Sequence, residues 1–169
     1  MKFRYIISLL VIVSMFLMVA PAMADEDPPT IVTVSGSFDF FPESYATYID
    51  GGRMLKDAYE EEIWVGDIVG TATAPFRVSV NPDGTMNAWL LAEFEGTILG
   101  EYEGTLVMMS LYTRHSKNTH WSGEWIIMSG TGDFENVQGY GTAWGPGFIP
   151  DDTEPDIYYL GYLVFPDNE

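Results

Sequence analysis

Glycine recurs inside a β-type alternation between residues 94 and 145, and this combination restricts the possible folds more than any other feature of the chain. Aromatic and β-branched residues occupy the intervening positions with a two-residue period, which is typical of strands. A glycine within a strand marks a bulge, a sharp bend or a close approach between backbones. Its repetition along several strands predicts a sheet that curls and closes. The glycines of this segment are Gly96, Gly100, Gly104, Gly123, Gly130, Gly132, Gly139, Gly141 and Gly145.

Short alternating segments separated by turn signals fill the rest of the chain from Thr30 onward. The clearest turns are Asp50-Gly51-Gly52 and Asn81-Pro82-Asp83-Gly84, where proline presets one φ and glycine accepts a positive one. About eight or nine strands and almost no helix are typical of a barrel or a sandwich. The glycine bends favour an all-β, closed antiparallel barrel of about eight strands, calycin-like, with residues 30–169 as a single domain.

For three segments, the alternation also predicts where the strand lies and which side chains share a face. Residues 30–40 are predicted as the first strand, with the even-numbered side chains facing the core and Pro42 ending the strand. Residues 53–65 alternate with the odd-numbered residues on one face, although LKDAYEEE also favours helix; we predict a strand. Residues 94–108 place apolar residues and glycine on one parity and mainly acidic residues and threonine on the other, with a turn near Leu99-Gly100.

The first 24 residues are predicted to be a cleaved signal peptide. Lys2 and Arg4 precede an apolar run, and Ala22-Met23-Ala24 forms a small-x-small cleavage pattern. An uncleaved anchor is the alternative, but a run of about 16 apolar residues is short of the ~20 that a spanning helix needs. We therefore expect a secreted or extracytoplasmic protein, with no membrane association after cleavage and a flexible lead at residues 25–29.

Charge and cysteine content exclude several classes of function. After residue 24 the chain holds five basic and 25 acidic residues, a net charge of −20, and it contains no cysteine for a disulfide. This charge excludes nucleic acid binding and disfavours anionic lipid. Such acids usually form a solvated surface. Calcium binding by the acidic loop at Asp151, Asp152, Glu154 and Asp156 is the weaker alternative.

One set of motifs resembles a known family. It runs from Phe94-x-Gly96 through Gly123-x-Trp125 to Gly130-Thr131-Gly132-x-Phe134 and Gly139-x-Gly141. This arrangement resembles the allene oxide cyclase and dirigent type of β-barrel, most closely its small uncharacterised microbial members. The resemblance implies an eight-stranded barrel with an apolar interior, which in the plant members holds a fatty acid epoxide or phenolic radicals. No catalytic residue of the cyclases maps onto a position here, so the resemblance implies the fold and not the activity.

Two groups of residues are candidates for a site. The first is a polar mouth, which would offer an anion site, a general base or, with a carboxylate, a metal site; an ordinary polar hairpin loop is the alternative. It consists of Arg114, His115 and His120. The second is a set of aromatic residues that would line an internal cavity, unless the barrel is packed solid. It consists of Phe94, Tyr102, Trp125, Tyr158 and Tyr162.

The sequence thus predicts a protein that binds a small apolar or aromatic molecule inside the barrel, without a cofactor or metal. The acidic surface favours neutral over anionic ligands. The chain shows no serine nucleophile elbow, phosphate loop or cysteine nucleophile. An isomerase or cyclase of the allene oxide cyclase type is one alternative, and a non-catalytic surface protein with a packed barrel is another.

Overall fold

The computed structural model describes residues 29–116, 119–148 and 153–166, without the side chain of Ser44. Each strand pairs antiparallel with the next, and β8 pairs with β1 to close the barrel. The strands are β1 (Thr30–Asp50), β2 (Arg53–Gly66), β3 (Ile68–Val80), β4 (Met86–Ile98), β5 (Tyr102–Arg114), β6 (Trp121–Gly132), β7 (Gln138–Gly145) and β8 (Ile157–Phe165). The prediction of a closed antiparallel barrel of about eight strands is confirmed.

Several sequence predictions fall outside the described part of the chain. They include the signal peptide at residues 1–24, most of the flexible lead at 25–29, and Asp151 and Asp152 of the acidic loop. Among the described residues, no helix has the length and apolar character that crossing a membrane requires.

The two ends of the barrel are built differently. At the closed end, where β1 begins and β8 ends, a turn between β6 and β7 places Phe134 inside the barrel with no exposed surface. Backbone hydrogen bonds hold this turn, from Phe134 N to Thr131 O at 3.3 Å and from Val137 N to Phe134 O at 3.1 Å. Buried side chains from the surrounding strands pack at this end, including Ile68, Ile98, Leu163 and Phe165. The opposite end, where a turn at Gly51 and Gly52 joins β1 to β2, is the open end.

Glycines on the inner face leave space for buried aromatic rings. A Cβ at Gly141 would lie 2.5 Å from Cε2 and Cζ2 of Trp125, and one at Gly161 would overlap the same indole. Gly104 and Gly130 lie against Phe134 in the same way, and Gly70 and Gly96 lie against Phe94. Among the glycines of the resembling motif, two have a positive φ, Gly100 at +68° and Gly132 at +67°. The glycine pattern therefore reflects interior volume as much as strand bending.

The first strand is longer than predicted, and Pro42 does not end it. β1 continues to Asp50 with a register shift between Ser44 and Ala46. Pairing with β8 stops at Phe38, so the later part of β1 pairs with β2 alone. A strand with one free edge tolerates a residue that lacks a backbone donor, which is why the proline is accommodated.

The second strand is confirmed as a strand, and its even-numbered residues form the inward face. The odd-numbered residues include Tyr59, Ile63 and Val65, which are 40%, 49% and 51% exposed. The even-numbered residues point inward and include Glu60 and Glu62. This register puts two carboxyl groups into the barrel interior.

Candidate ligand-binding cavity

A cavity of about 430 Å³ occupies the open end of the barrel. This volume is in the range of small-molecule sites. Its walls come from the inner faces of β1 to β6, completed by Phe148 and by Ile157 at the start of β8. The residues that line it are Phe38, Phe40, Pro42, Met54, Lys56, Glu60, Phe76, Val78, Val80, Met86, Ala88, Leu90, Tyr112, Arg114, Trp121, Phe148 and Ile157.

The cavity exists because the inner positions at this end do not fill the barrel cross-section. β3 and β4 contribute Val78, Val80 and Ala88, whose side chains are short. No residue of the described part of the chain enters the open end as Phe134 enters the closed end. The space left between the strands is therefore bounded mainly by apolar and aromatic side chains.

Two buried glutamates lie at the inner limit of the cavity. Glu60 borders it and is 3% exposed, and Glu62 is one inward position deeper on β2 and is 1% exposed. Glu62 Oε2 accepts a hydrogen bond from Trp64 Nε1 at 2.7 Å, while Oε1 has no partner among the described residues. The Trp64 indole stacks on Phe38 with ring centroids 4.4 Å apart, which fixes the donor in place. One buried carboxylate oxygen is thus left without a donor.

Burial shifts the acidity of both carboxyl groups in the same direction. Loss of hydration is the main cause that raises the pKa of Glu60 to about 9, and the charges of Glu62 and Asp156 contribute to the same shift. Burial also raises the pKa of Glu62, opposed by the hydrogen bond from Trp64. Two carboxyl groups that share such a site do not both ionise near neutral pH. The pair therefore carries at most one negative charge at pH 7.

Tyr112 and Asp156 complete the polar surroundings of the pair. Burial, with the charge of Glu62, raises the pKa of the Tyr112 phenol, so this hydroxyl stays protonated. The Asp156 carboxylate accepts a hydrogen bond from Phe40 N at 3.0 Å, where β1 has lost its pairing with β8. The Asp156 backbone N–H in turn donates to Asp39 Oδ1 at 3.2 Å. These bonds hold the segment before β8 against β1 at the cavity wall.

The predicted polar mouth is divided between the cavity rim and the solvent. Arg114 lines the cavity, with its guanidinium carbon 5.7 Å from the Trp121 ring centre and its Nε donating to Ser116 O at 3.0 Å. His115 and His120 belong to the connection between β5 and β6 and are exposed. In the part of the chain that the structure covers, no three histidine, cysteine, aspartate or glutamate side chains group together as a metal would require.

The five predicted aromatic residues lie at three different places, none of them in the cavity lining. Phe94 and Trp125 are buried in the core, and Tyr102 stacks on Phe165 at the closed end with centroids 4.2 Å apart. Tyr158 and Tyr162 lie on the outer face of β8. They pair there with rings of β7, Tyr158 with Trp144 at 6.3 Å and Tyr162 with Tyr140 at 6.0 Å.

Sequence reasoning did not identify Glu60 and Glu62 as site residues. The signal was present in Met54, Ala58 and Trp64, three apolar residues on the same parity as the glutamates. It was obscured because the other parity of β2 carries Leu55, Tyr59, Ile63 and Val65, which are more numerous and look like a core face. An outer groove of about 490 Å³ crosses β5 to β8, but no buried charged group borders it.

Comparison with known proteins agrees with this architecture. The family DUF3224, described as "Protein of unknown function", matches residues 34–144, which is more than half of the chain. A crystal structure of a protein of unknown function from this family, from Shewanella oneidensis MR-1 at 1.84 Å resolution, superposes with a TM-score of 0.63. The two sequences are 12% identical, and the match covers 83% of this chain and 100% of the other. At this identity the similarity shows the shared fold. No curated protein matches the sequence.

Proposed function

This chain belongs to the DUF3224 family, and we propose that it binds one small apolar or aromatic molecule in the cavity at the open end of the barrel. The observation that carries the proposal is the cavity itself, about 430 Å³ in volume and bordered by a single deeply buried carboxyl group. Small-molecule sites have this composition, with apolar walls and a few polar groups that orient the ligand.

The walls favour a ligand with an aromatic or branched apolar body. Phe38, Phe40, Phe76 and Trp121 offer ring faces and edges, and Met54 and Met86 adapt to irregular shapes. Transfer of apolar ligand surface from water contributes about 25 cal/mol per Å² before the cost of association. A ligand that fills the open end would restore the packing that the strands lack there.

The proposal is tested with N-phenyl-1-naphthylamine, an uncharged aromatic dye whose fluorescence rises in apolar surroundings. We expect one dye molecule per folded chain and no change on addition of EDTA. Ala88→Phe places a ring in the cavity and should weaken binding by about tenfold or more, since occupied volume is no longer available. Asn87→Phe is the matched control, because the preceding residue of β4 points to the exposed outer face.

Two outcomes would overturn the proposal. One is a dye that binds only after partial unfolding in urea. The other is equal binding by the parent, Ala88→Phe and Asn87→Phe proteins, which would place the dye elsewhere. Either result would favour a barrel whose role is structural.

Acid–base isomerisation of the allene oxide cyclase type is a second candidate, and one observation favours it. Glu60 borders the cavity and, with a pKa raised to about 9, is a proton donor at neutral pH. The motifs that resemble this barrel family support the same idea at the level of fold. Incubation with a fatty acid epoxide should give an isomeric product by mass spectrometry with the parent protein and not with Glu60→Gln. Dye binding without any product would leave binding as the function.

We also propose export with removal of residues 1–24. The support is the sequence of that segment, which has a basic start, an apolar run and the Ala22-Met23-Ala24 cleavage pattern. N-terminal sequencing of the protein recovered outside the cytoplasm should begin at Asp25. A chain that keeps Met1 and sediments with membranes would contradict the proposal.

A further inference from the structure

The buried carboxyl pair is chemically unusual for a site that takes a purely apolar ligand. Glu60 and Glu62 are both nearly inaccessible to solvent, and Glu62 Oε1 has no hydrogen-bond partner in the described part of the chain. A buried acceptor without a partner costs about 1–3 kcal/mol relative to a satisfied one. A ligand that brings donors to this end of the cavity would offset that cost.

Aromatic rings surround the approach to the pair. Phe38, Phe40, Phe76 and Tyr112 line the cavity together with Glu60. Ring faces attract cations, and the attraction is stronger when the cation is desolvated. Aromatic walls combined with a carboxylate form the chemistry that recognises an organic ammonium group rather than an alcohol or an acid.

The charges around the cavity give the same preference. Two buried carboxyl groups in contact ionise in steps, so the pair can hold one proton and one negative charge, which matches a monocation. Asp156 adds a further acidic group near Glu60. The five basic and 25 acidic residues after residue 24 attract cations and repel anions over the whole surface.

Two basic residues at the rim act in the opposite sense. Lys56 and Arg114 line the cavity and are half-buried, so water and salt screen them more than the groups at the inner limit. Electrostatic interactions strengthen with burial, and Glu60 is the more buried group. The rim charges therefore reduce the attraction for a cation.

From these observations we infer that the ligand is an apolar or aromatic primary amine bound as a monocation, with its ammonium group on Glu60, backed by Glu62, and its body against the aromatic walls. This inference rests on the proposed binding function and names the class of ligand. Glu60 is protonated at pH 7.5 in the free protein because its pKa is raised to about 9, and an ammonium group on its carboxylate requires that this proton leaves. The amine should therefore displace a proton from the protein as it binds.

Isothermal titration calorimetry at pH 7.5 with three ligands of one shape tests the inference. The probes are 4-phenylbutylamine, 4-phenylbutanol and 4-phenylbutyrate. We expect the amine to bind about tenfold or more tightly than the alcohol, and the carboxylate to bind most weakly. Titrations in buffers of different ionisation enthalpy should show proton release of about one per amine and none for the alcohol.

The variant Glu60→Gln should abolish both the preference for the amine over the alcohol and the release of a proton. Glu61→Gln is the matched control, because its side chain is exposed on the outer face of the same strand. Equal affinity for amine and alcohol, without proton release, would overturn the amine inference and leave the binding function standing. Failure of all three ligands and of the dye would overturn both. The comparison of the amine with the alcohol uses only the parent protein, so it tests the inference even if Glu60→Gln does not fold.

Discussion

The two ends of this barrel use the same strands for opposite purposes. At the closed end, Phe134 and Val137 from the β6–β7 turn enter the interior, and Ile98, Leu163 and Phe165 pack with them in a continuous core. At the open end, the inner residues leave about 430 Å³ unfilled and include charged side chains. The closed end is tightly packed, as protein interiors are. The open end has an apolar cavity with a few polar groups, as binding sites do.

This difference shows how one small barrel separates stability from binding. Packing at the closed end lets the chain keep two carboxyl groups buried near the open end, although such groups are costly to bury. Functional sites often depart from the rules that stabilise the rest of a fold. Substitutions at the two ends should therefore affect stability and binding to different extents.

The largest effect is expected from removal of the ring that fills the closed end. Phe134→Ala should lower the free energy of unfolding by about 3–5 kcal/mol, because the residue is fully buried and leaves a cavity among packed neighbours. Urea denaturation followed by tryptophan fluorescence measures the change. Dye binding by the fraction that remains folded should be unaltered.

Phe76→Ala is the matched change at the open end. Its ring is half-buried at the cavity wall, so the loss of stability should be about 1 kcal/mol. Dye affinity should fall in this variant. Equal destabilisation by the two substitutions would show that the open end is packed as tightly as the closed end, against the proposed cavity.

The fold was predictable because glycine spacing, alternation and turn chemistry all agree. The three-residue turn from Leu99 to Glu101 pairs Ile98 with Tyr102 and so preserves parity, and the apolar face of residues 94–108 stays inward through β4 and β5. The turn at Asn81 forms as expected, with Asn81 N bonded to Thr85 O at 2.8 Å and Gly84 at a φ of +87°. Where these local signals all indicated the same structure, the sequence was enough to predict the strands and their turns.

The lining of the cavity was not predictable, because the sequence pattern of two strands does not distinguish their inner face from their outer face. In β8, Ile157 and Tyr159 point inward while Tyr158 and Tyr162 point outward, and no charge distinguishes the two parities. In β2 the inward parity contains Glu60, which conflicts with the usual exposure of acidic residues. A shift by one residue exchanges the faces of a strand, and only pairing across the barrel fixes the choice.

Another substitution tests whether Gly161 is required to leave space for the Trp125 ring in the middle of the barrel. Gly161→Ala should destabilise by about 2–3 kcal/mol, since its Cβ would overlap the Trp125 indole. Combination with Trp125→Leu should cost less than the sum of the single changes, because the smaller side chain frees the space. A fully additive double-mutant cycle in urea would mean that the glycine is required for another reason.

Glu60 gives a smaller effect that depends on pH. Above the ordinary glutamate pKa of 4.5 the unfolded chain loses this proton, whereas the folded protein keeps it up to its pKa of about 9. Glu60 therefore lowers stability progressively as pH rises from about 4.5 to about 9. Glu60→Gln removes this contribution, and at pH 8 it should be more stable than the parent by about 1–2 kcal/mol. At pH 4 the two proteins should have nearly equal stability.

Urea denaturation across this pH range should show no such difference between the parent and Glu61→Gln, whose side chain is exposed. This control separates the buried carboxyl group from the general repulsion of an acidic chain. A parent and a Glu60→Gln protein with parallel stability curves would mean that Glu60 is already ionised in the folded state. The acid–base role of Glu60 would then fail, because no proton would be available at neutral pH.

The smallest effect concerns Tyr162, which the sequence predicts to be in the cavity and the structure places on the outer face of β8 at 45% exposure. Tyr162→Ser should leave dye affinity within about twofold of the parent, because the side chain does not border the cavity. Tyr112→Phe, which removes a hydroxyl near the buried carboxyl pair, should change amine affinity more than it changes dye affinity. A large loss of dye binding in Tyr162→Ser would move the site to the outer groove of β5 to β8. The contrast between a filled and an open end would then no longer account for binding.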